Sequence, residues 1–289
     1  MEEEDLEKVH SLSKLNLSSE SPDLPLTLSP TEKEFFEKIL DCIYGPDDEE
    51  RERAFHLLSE NKHIESLVPY LCAAVIDFIH LNMEMPTMDC TVRTLRVIKH
   101  LVTNQHVNIA DYLHQLIPAI VTSIISNKVT ECRYENHWFV RNFSLMVLKT
   151  IYDKYSKSEE YVKPMVINIF LKILKDCGNH SLSTLYGAIK GIGIFGEMEI
   201  EKFILPHIYN IGKMVKKQDT TSLRFAQYNQ YAQEAKKVKQ LIISLVAPIL
   251  LKKRDANDGT ASYPRKFGYL GKLLYVQMNK LEKLETPNQ

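Results

Sequence analysis

Five prolines recur along the chain in nearly identical apolar settings. They are Leu67-Val68-Pro69-Tyr70-Leu71, Leu116-Ile117-Pro118-Ala119-Ile120, Val162-Lys163-Pro164-Met165-Val166, Ile204-Leu205-Pro206-His207-Ile208 and Val246-Ala247-Pro248-Ile249-Leu250. Their separations are 49, 46, 42 and 42 residues. Proline fits a helix's first turn or a kink, and an apolar helical run follows it each time. HEAT and armadillo units repeat at ~40–47 residues as helix pairs. One pair cannot bury its own apolar face, so stacked neighbours must supply the core. The spacing therefore predicts an all-α fold, an α-α superhelix of about five helix pairs in a HEAT/armadillo-type solenoid. No segment shows the sustained alternation of a strand.

Local signals agree. Thr31 with Glu34 three residues on is a capping-box signature, and the helix it opens stops at Gly45-Pro46. Asp47 to Glu50 suit the positive end of a second helix. Further helices are expected over 63–83 and up to about Thr103. Leu182, Leu185, Tyr186, Ile189, Ile192 and Phe195 keep helical spacing through Gly191, Gly193 and Gly196. That run fits a dinucleotide fingerprint by letter, but no strand precedes it; close helix-to-helix approach and a stop at Gly196 are expected instead. A polar stretch from Gln218 to Gln233 predicts an inter-helix loop exposing Arg224, Phe225, Tyr228 and Tyr231. The expected divisions are an acidic, disordered tail over 1–29, a HEAT-repeat region over 30–254, and a loop with a C-terminal amphipathic helix over 255–289.

Charge is unevenly spread. Residues 1–30 carry a net −5 and residues 201–289 a net +9, within a chain of net −1. Lys213, Lys216, Lys217, Lys252, Lys253 and Arg254 form a candidate basic patch, either a nucleic-acid contact or solvated helix faces. The acidic start MEEEDLEK has no secretory pattern. The longest uncharged apolar stretch, around Tyr112 to Asn127, is shorter than the ~20 residues of a membrane span, so no membrane partner is expected. The five cysteines are scattered without a paired motif, which argues against disulfides and zinc and for a reducing compartment.

The stretch from Tyr134 to Tyr155 holds the only tryptophan. Asn136 is expected to cap a helix whose apolar face carries Trp138, Phe139, Phe143, Met146, Val147 and Ile151, with Trp138 anchoring the core. Arg141 falls outside that face and is the candidate partner contact, because a guanidinium can grip a carboxylate with two hydrogen bonds. His137 has no Ser, Cys or acid partner placed by spacing and reads as a packing residue at a helix N-terminus. The other histidines lack metal-helix spacing. No catalytic constellation, cofactor, metal or small-molecule substrate is expected, and the chain is read as a non-enzyme.

Asn136, His137, Trp138, Arg141, Asn142, Phe143 and Ser144 together resemble a segment of the HEAT-repeat domain of TBP-associated factor subunit six of TFIID and its paralogue in the SAGA coactivator. Three further segments resemble that domain in the same order: Tyr112 to Ala119, then Tyr186-Gly187-Ala188 with Gly191 and Gly196, then Ile204-Leu205-Pro206-His207. The resemblance spans roughly 26 to 250. It implies a nuclear, non-catalytic scaffold subunit supporting RNA polymerase II transcription, docking other TBP-associated factors on its HEAT surface. It singles out Asn136, His137, Trp138, Arg141, Tyr186, Gly187 and Pro206 as structural or contact residues. Family members carry an N-terminal histone fold, whereas residues 1–29 read as a tail; a shortened paralogue, an isoform or a fragment would each give that pattern. The alternatives are direct promoter-DNA contact by the basic C-terminal part, and a HEAT adaptor outside transcription.

Overall fold

The computed structural model describes residues 28–84, 87–126, 136–222, 230–254 and 259–285. Among them there is helix and no strand. They fall into two compact units, one of residues 1–123 and 128–162, the other of 124–127 and 163–289.

The first unit opens with α1, Pro30–Tyr44. Ser29 caps it, accepting from the Glu32 amide at 3.3 Å while the Glu32 carboxylate accepts from the Ser29 amide at 3.1 Å. The capping box is therefore Ser29 and Glu32, not Thr31 and Glu34. Pro30 sets the first helical φ, which starts the helix earlier than the Thr31 reading allows. Gly45 ends α1 as expected. Asp47 then caps α2, Asp48–Glu60, accepting from the Glu49 and Glu50 amides at 2.8 and 3.0 Å. A 3-10 turn, Lys62–Leu67, leads into α3, Val68–Glu84, followed by α4, Met88–Thr103. The unit continues with α5, Leu113–Ile125 (its last two residues assigned to the second unit), and α6, His137–Tyr155.

α4 is the hub of this unit, packing against α1, α2, α3 and α6. Its Leu95, Val97, Ile98, Leu101 and Val102 are all buried. Each contributes about 1.5–3 kcal/mol on leaving water. The stretch Lys62–Leu81 has the length and apolar composition of a membrane span, which the sequence reading did not pick out; half of that window is buried inside the protein. Ile64, Leu67, Leu71, Cys72, Val75 and Phe78 form that buried side, so core packing accounts for its apolarity.

The second unit contains α7, Val162–Lys175 (its first residue assigned to the first unit), and α8, Leu182–Gly193. A helical turn at Glu197–Glu199 runs through a π turn, Ile200–Ile204, and a 3-10 turn, Leu205–His207. Then come α9, Ile208–Ser222, α10, Gln230–Lys252, α11, Ser262–Phe267, and α12, Gly271–Glu285. α10 packs on α8, α9 and α12. Its Val238, Ile242, Val246 and Ala247 are fully buried.

Three expectations change here. Pro118 and Pro248 lie inside α5 and α10 and open no helix, whereas Pro69 and Pro164 lie in first turns and Pro206 lies in the 3-10 turn before α9. Gln218 and Asp219 are helical, because α9 runs on to Ser222; Arg224, Phe225 and Tyr228 lie outside the described residues, and Tyr231 is exposed. The C-terminal helix is broken at Gly268, whose φ of 60° lies in the left-handed region.

Candidate partner-docking site

The residues singled out in α6 do not share one environment. Asn136 is the N-cap, but its side chain makes no capping hydrogen bond. The His137 ring lies 4.3 Å from that of Trp138, and both side chains are half-buried. Arg141 is 1% exposed, among the largest fully buried side chains. Its Nε donates to His137 Nδ1 at 3.3 Å, which requires a neutral imidazole. Burial, with Arg141 beside it, holds the His137 pKa down to about 4. The guanidinium therefore faces inward and presents no fork to a partner. This corrects its assignment as a surface contact. The charge is partnered inside because an unpaired buried cation would cost several kcal/mol.

The apolar face of α6 is corrected too. Its buried residues are Val140, Arg141, Ser144, Leu145, Val147, Leu148, Ile151 and Tyr155. Val147 and Ile151 hold their expected place. Trp138 is only half-buried and is not the core anchor, while Phe139 is 48% and Met146 41% exposed. Phe139 and Phe143 stack at 6.1 Å. Spaced i, i+4 and i+7, Phe139, Phe143 and Met146 make a surface stripe. Two apolar stripes were present in the sequence, and the aliphatic one forms the core.

In α8, Tyr186 is buried and accepts from Lys190 Nζ at 3.3 Å. A Cβ on Gly187 would sit 2.5 Å from the Ile124 carbonyl oxygen, and one on Gly191 2.2 Å from the Phe170 ring. The glycines permit close packing, as their helical spacing predicts. The helix ends at Gly193, ahead of the expected stop; Gly196 has a φ of 109° and opens the next turn. Pro206 is exposed.

The basic patch divides in two. Lys252 is paired with Glu197 at 2.6 Å, Lys253 with Glu201, and Arg254 with Glu282 at 2.8 Å. Arg254 also donates to Asn279 Oδ1 at 3.0 Å. Carboxylates therefore match this run of the candidate basic patch. Lys213, Lys216 and Lys217 are exposed on α9, with Lys213 Nζ 4.7 Å from the Tyr209 ring. Among the described residues no group of three or more His, Cys, Asp or Glu is placed to hold a metal ion. Cys42, Cys72, Cys90 and Cys177 are free thiols, and Cys132 lies outside the described residues.

Residues the sequence reading passed over hold helix ends together one repeat apart. In the first unit Arg93 donates to the Tyr44 and Gly45 carbonyls, both at 2.9 Å, and Arg51, only six residues from Gly45, donates to the same Gly45 carbonyl at 2.6 Å. Asn104 donates to Leu58 at 2.9 Å, and Lys154 to Val102 and Asn104 at 2.7 and 2.9 Å. In the second unit Thr184 donates to Ile125 at 2.7 Å. The pairs Arg93–Gly45, Asn104–Leu58 and Lys154–Asn104 are separated by 48, 46 and 50 residues, the interval the first prolines mark.

The family model described as the TAF6 C-terminal HEAT repeat domain matches residues 25–209. Transcription initiation factor TFIID subunit 6 of Drosophila melanogaster is 25% identical over 245 residues, which is 84% of this chain and 40% of that protein. The SAGA complex/transcription factor TFIID complex subunit Taf6 of Schizosaccharomyces pombe is 25% identical over 185 residues, 63% of this chain and 40% of that protein. The chain thus spans about two-fifths of the length of these relatives. The solved TAF6 C-terminal domain from Antonospora locustae superposes with a TM-score of 0.55 at 22% identity, covering 74% of this chain and 98% of that one, which is a likeness of fold. On the family match across most of its length, the chain belongs to the TAF6 C-terminal HEAT repeat domain family.

Proposed function

We propose that this chain is a non-catalytic scaffold subunit of a TFIID- or SAGA-type complex in the nucleus, holding other subunits on its helical surface in support of RNA polymerase II transcription. Membership of the TAF6 C-terminal HEAT repeat domain family carries the proposal. The relatives' names supply the two complexes. The α6 stripe supports a docking role, since exposed apolar side chains grouped on one helix face mark interaction surfaces: Phe139 and Met146 are exposed, and Phe139 stacks on the half-buried Phe143. Direct DNA contact by the basic part has less support, because Lys252, Lys253 and Arg254 are paired with carboxylates.

The test is affinity purification of the tagged chain from nuclear extract with mass spectrometry of what accompanies it. Recovery of TFIID or SAGA subunits, reduced when Phe139 and Met146 are both changed to Asp, is the expected result. Recovery of neither set overturns the proposal.

A further inference from the structure

The second unit carries lysines that no carboxylate matches, and they share one helix face with exposed aliphatic side chains. On α12, Leu273 is 37%, Val276 43% and Leu284 75% exposed. Lys272, Lys280 and Lys283 are exposed on the same face, and none of them is in an ion pair among the described residues. At 100° per residue the six positions fall within about a third of the helix circumference. They extend over roughly 18 Å, at 1.5 Å per residue. The opposite face is committed to the unit's core, with Leu274 and Met278 fully buried. On the flank, Glu282 and Asn279 bind Arg254. The helix is thus fixed in place with a mixed cationic and aliphatic face outward. The family match ends at residue 209, before α12 begins.

The contrast with the 252–254 run identifies the occupant. There each cation already has its own acid. On α12 three cations lie among aliphatic side chains with none. A nucleic-acid backbone would use the lysines and gain nothing from Leu273, Val276 and Leu284, since phosphate contact is electrostatic. An anionic membrane takes a broad apolar face, and the broad apolar face of α12 is spent on the core. An acidic segment with its own aliphatic or aromatic residues at helical spacing satisfies both kinds of group at once. We infer that the outer face of α12 docks an acidic amphipathic segment of a partner protein.

The test places the photo-crosslinking residue p-benzoylphenylalanine at Val276 in the full chain. The protein is irradiated in nuclear extract, and the crosslinked peptides are sequenced. The expected product joins α12 to a peptide of another protein with net negative charge and apolar residues at helical spacing. Its yield should fall at least five-fold in the Lys272→Glu, Lys280→Glu, Lys283→Glu variant. A Lys38→Glu, Lys62→Glu variant, altered at exposed positions of the first unit, should retain the yield. Circular dichroism melts of both variants establish that they are folded. Several outcomes overturn the inference: products only with nucleic acid, only with a second copy of the chain, or only with the chain's own acidic residues 1–27, no product in folded protein, or a yield indifferent to charge reversal. The crosslink reads the chemistry of the occupant whichever assembly supplies it, so its failure is distinguishable from failure of the transcription-complex proposal.

Discussion

At Gly187 and Gly191 space, and not backbone conformation, explains why no side chain is present. Alanine is favoured over glycine in a helix by about 1 kcal/mol. At Gly187 that gain meets the Ile124 carbonyl oxygen at 2.5 Å, a backbone atom that cannot step aside. Overpacking typically costs about 1–3 kcal/mol, so Gly187→Ala should be net destabilising by up to about 2 kcal/mol in urea unfolding. Gly193 is the counter-case. Its Cβ would lie 3.1 Å from a terminal methyl of Leu245, which can rotate, so Gly193→Ala should be neutral or mildly stabilising. Glycine spacing in the sequence foretold the close approach but not which neighbour decides the sign. The two half-buried histidines give an acid limb. Burial, with Arg141 near His137 and with Arg96 and Lys99 near His100, lowers each pKa to about 4. The depressed values mean the folded state resists a proton that the unfolded chain accepts from about pH 6.5 downward. Stability is thus fully present above pH 6.5 and is lost as pH falls from 6.5 toward 4, on the order of 1–2 kcal/mol per histidine after allowance for solvent screening. Replacing His100 and His137 by Gln should flatten that limb in melts between pH 7 and 4.5. An unchanged limb would assign the loss to carboxylates.

Helix type and approximate extent were legible because each helix shows its apolar period in its own residues. The ties between helices were not. Lys154 reads from the sequence as an ordinary lysine on a helix's polar side. Its ammonium is instead inserted among the Val102, Asn104 and Val107 carbonyls at 2.7, 2.9 and 3.3 Å, with its pKa lowered by burial. The end of α4 has carbonyls with no intrahelical donor, and a cation there also meets the negative end of the dipole. Its target lies a whole repeat upstream, so only the stacking of pairs identifies it. Lys154→Met keeps the aliphatic stem and removes the donors; it should cost about 1–3 kcal/mol, the range for part-buried acceptors left unsatisfied. Hydrogen exchange at the C-terminal turn of α4 should quicken more than exchange in α2. Lys38→Met, at an exposed position of α1, should stay within about 0.5 kcal/mol of the parent. The same ambiguity misassigned α6. Phe139, Phe143 and Met146 satisfy helical periodicity as well as Val140, Val147, Leu148 and Ile151 do. Period alone does not say which stripe a neighbouring helix will cover.

Over the whole chain, the proline interval and the helical periods carried the HEAT class, but charge totals left two readings open. Residues 201–289 sum to +9, which fits either a nucleic-acid contact or solvated helix faces. A sum cannot show pairing, and the acids that pair with Lys252 and Lys253 lie 55 and 52 residues upstream. Six cations free to meet phosphates would give a slope of log affinity against log salt of about −5 on duplex DNA. With Lys252, Lys253 and Arg254 held by Glu197, Glu201 and Glu282, at most half that slope should appear. Affinity near physiological salt should stay in the non-specific range, weaker than about 1 μM. Anisotropy titrations on a labelled 30-base-pair duplex at four salt concentrations measure it. The carboxylates can be removed without touching a lysine, by Glu197→Gln, Glu201→Gln and Glu282→Gln together. If pairing is what suppresses DNA binding, this variant should bind more tightly and with a steeper salt slope than the parent. Should the parent already show a slope near −5, the carboxylates do not restrain the run, and the nucleic-acid alternative stands. Should neither protein bind measurably, the segregation of charge serves protein contacts, and the lysines of α12 are where to look for them.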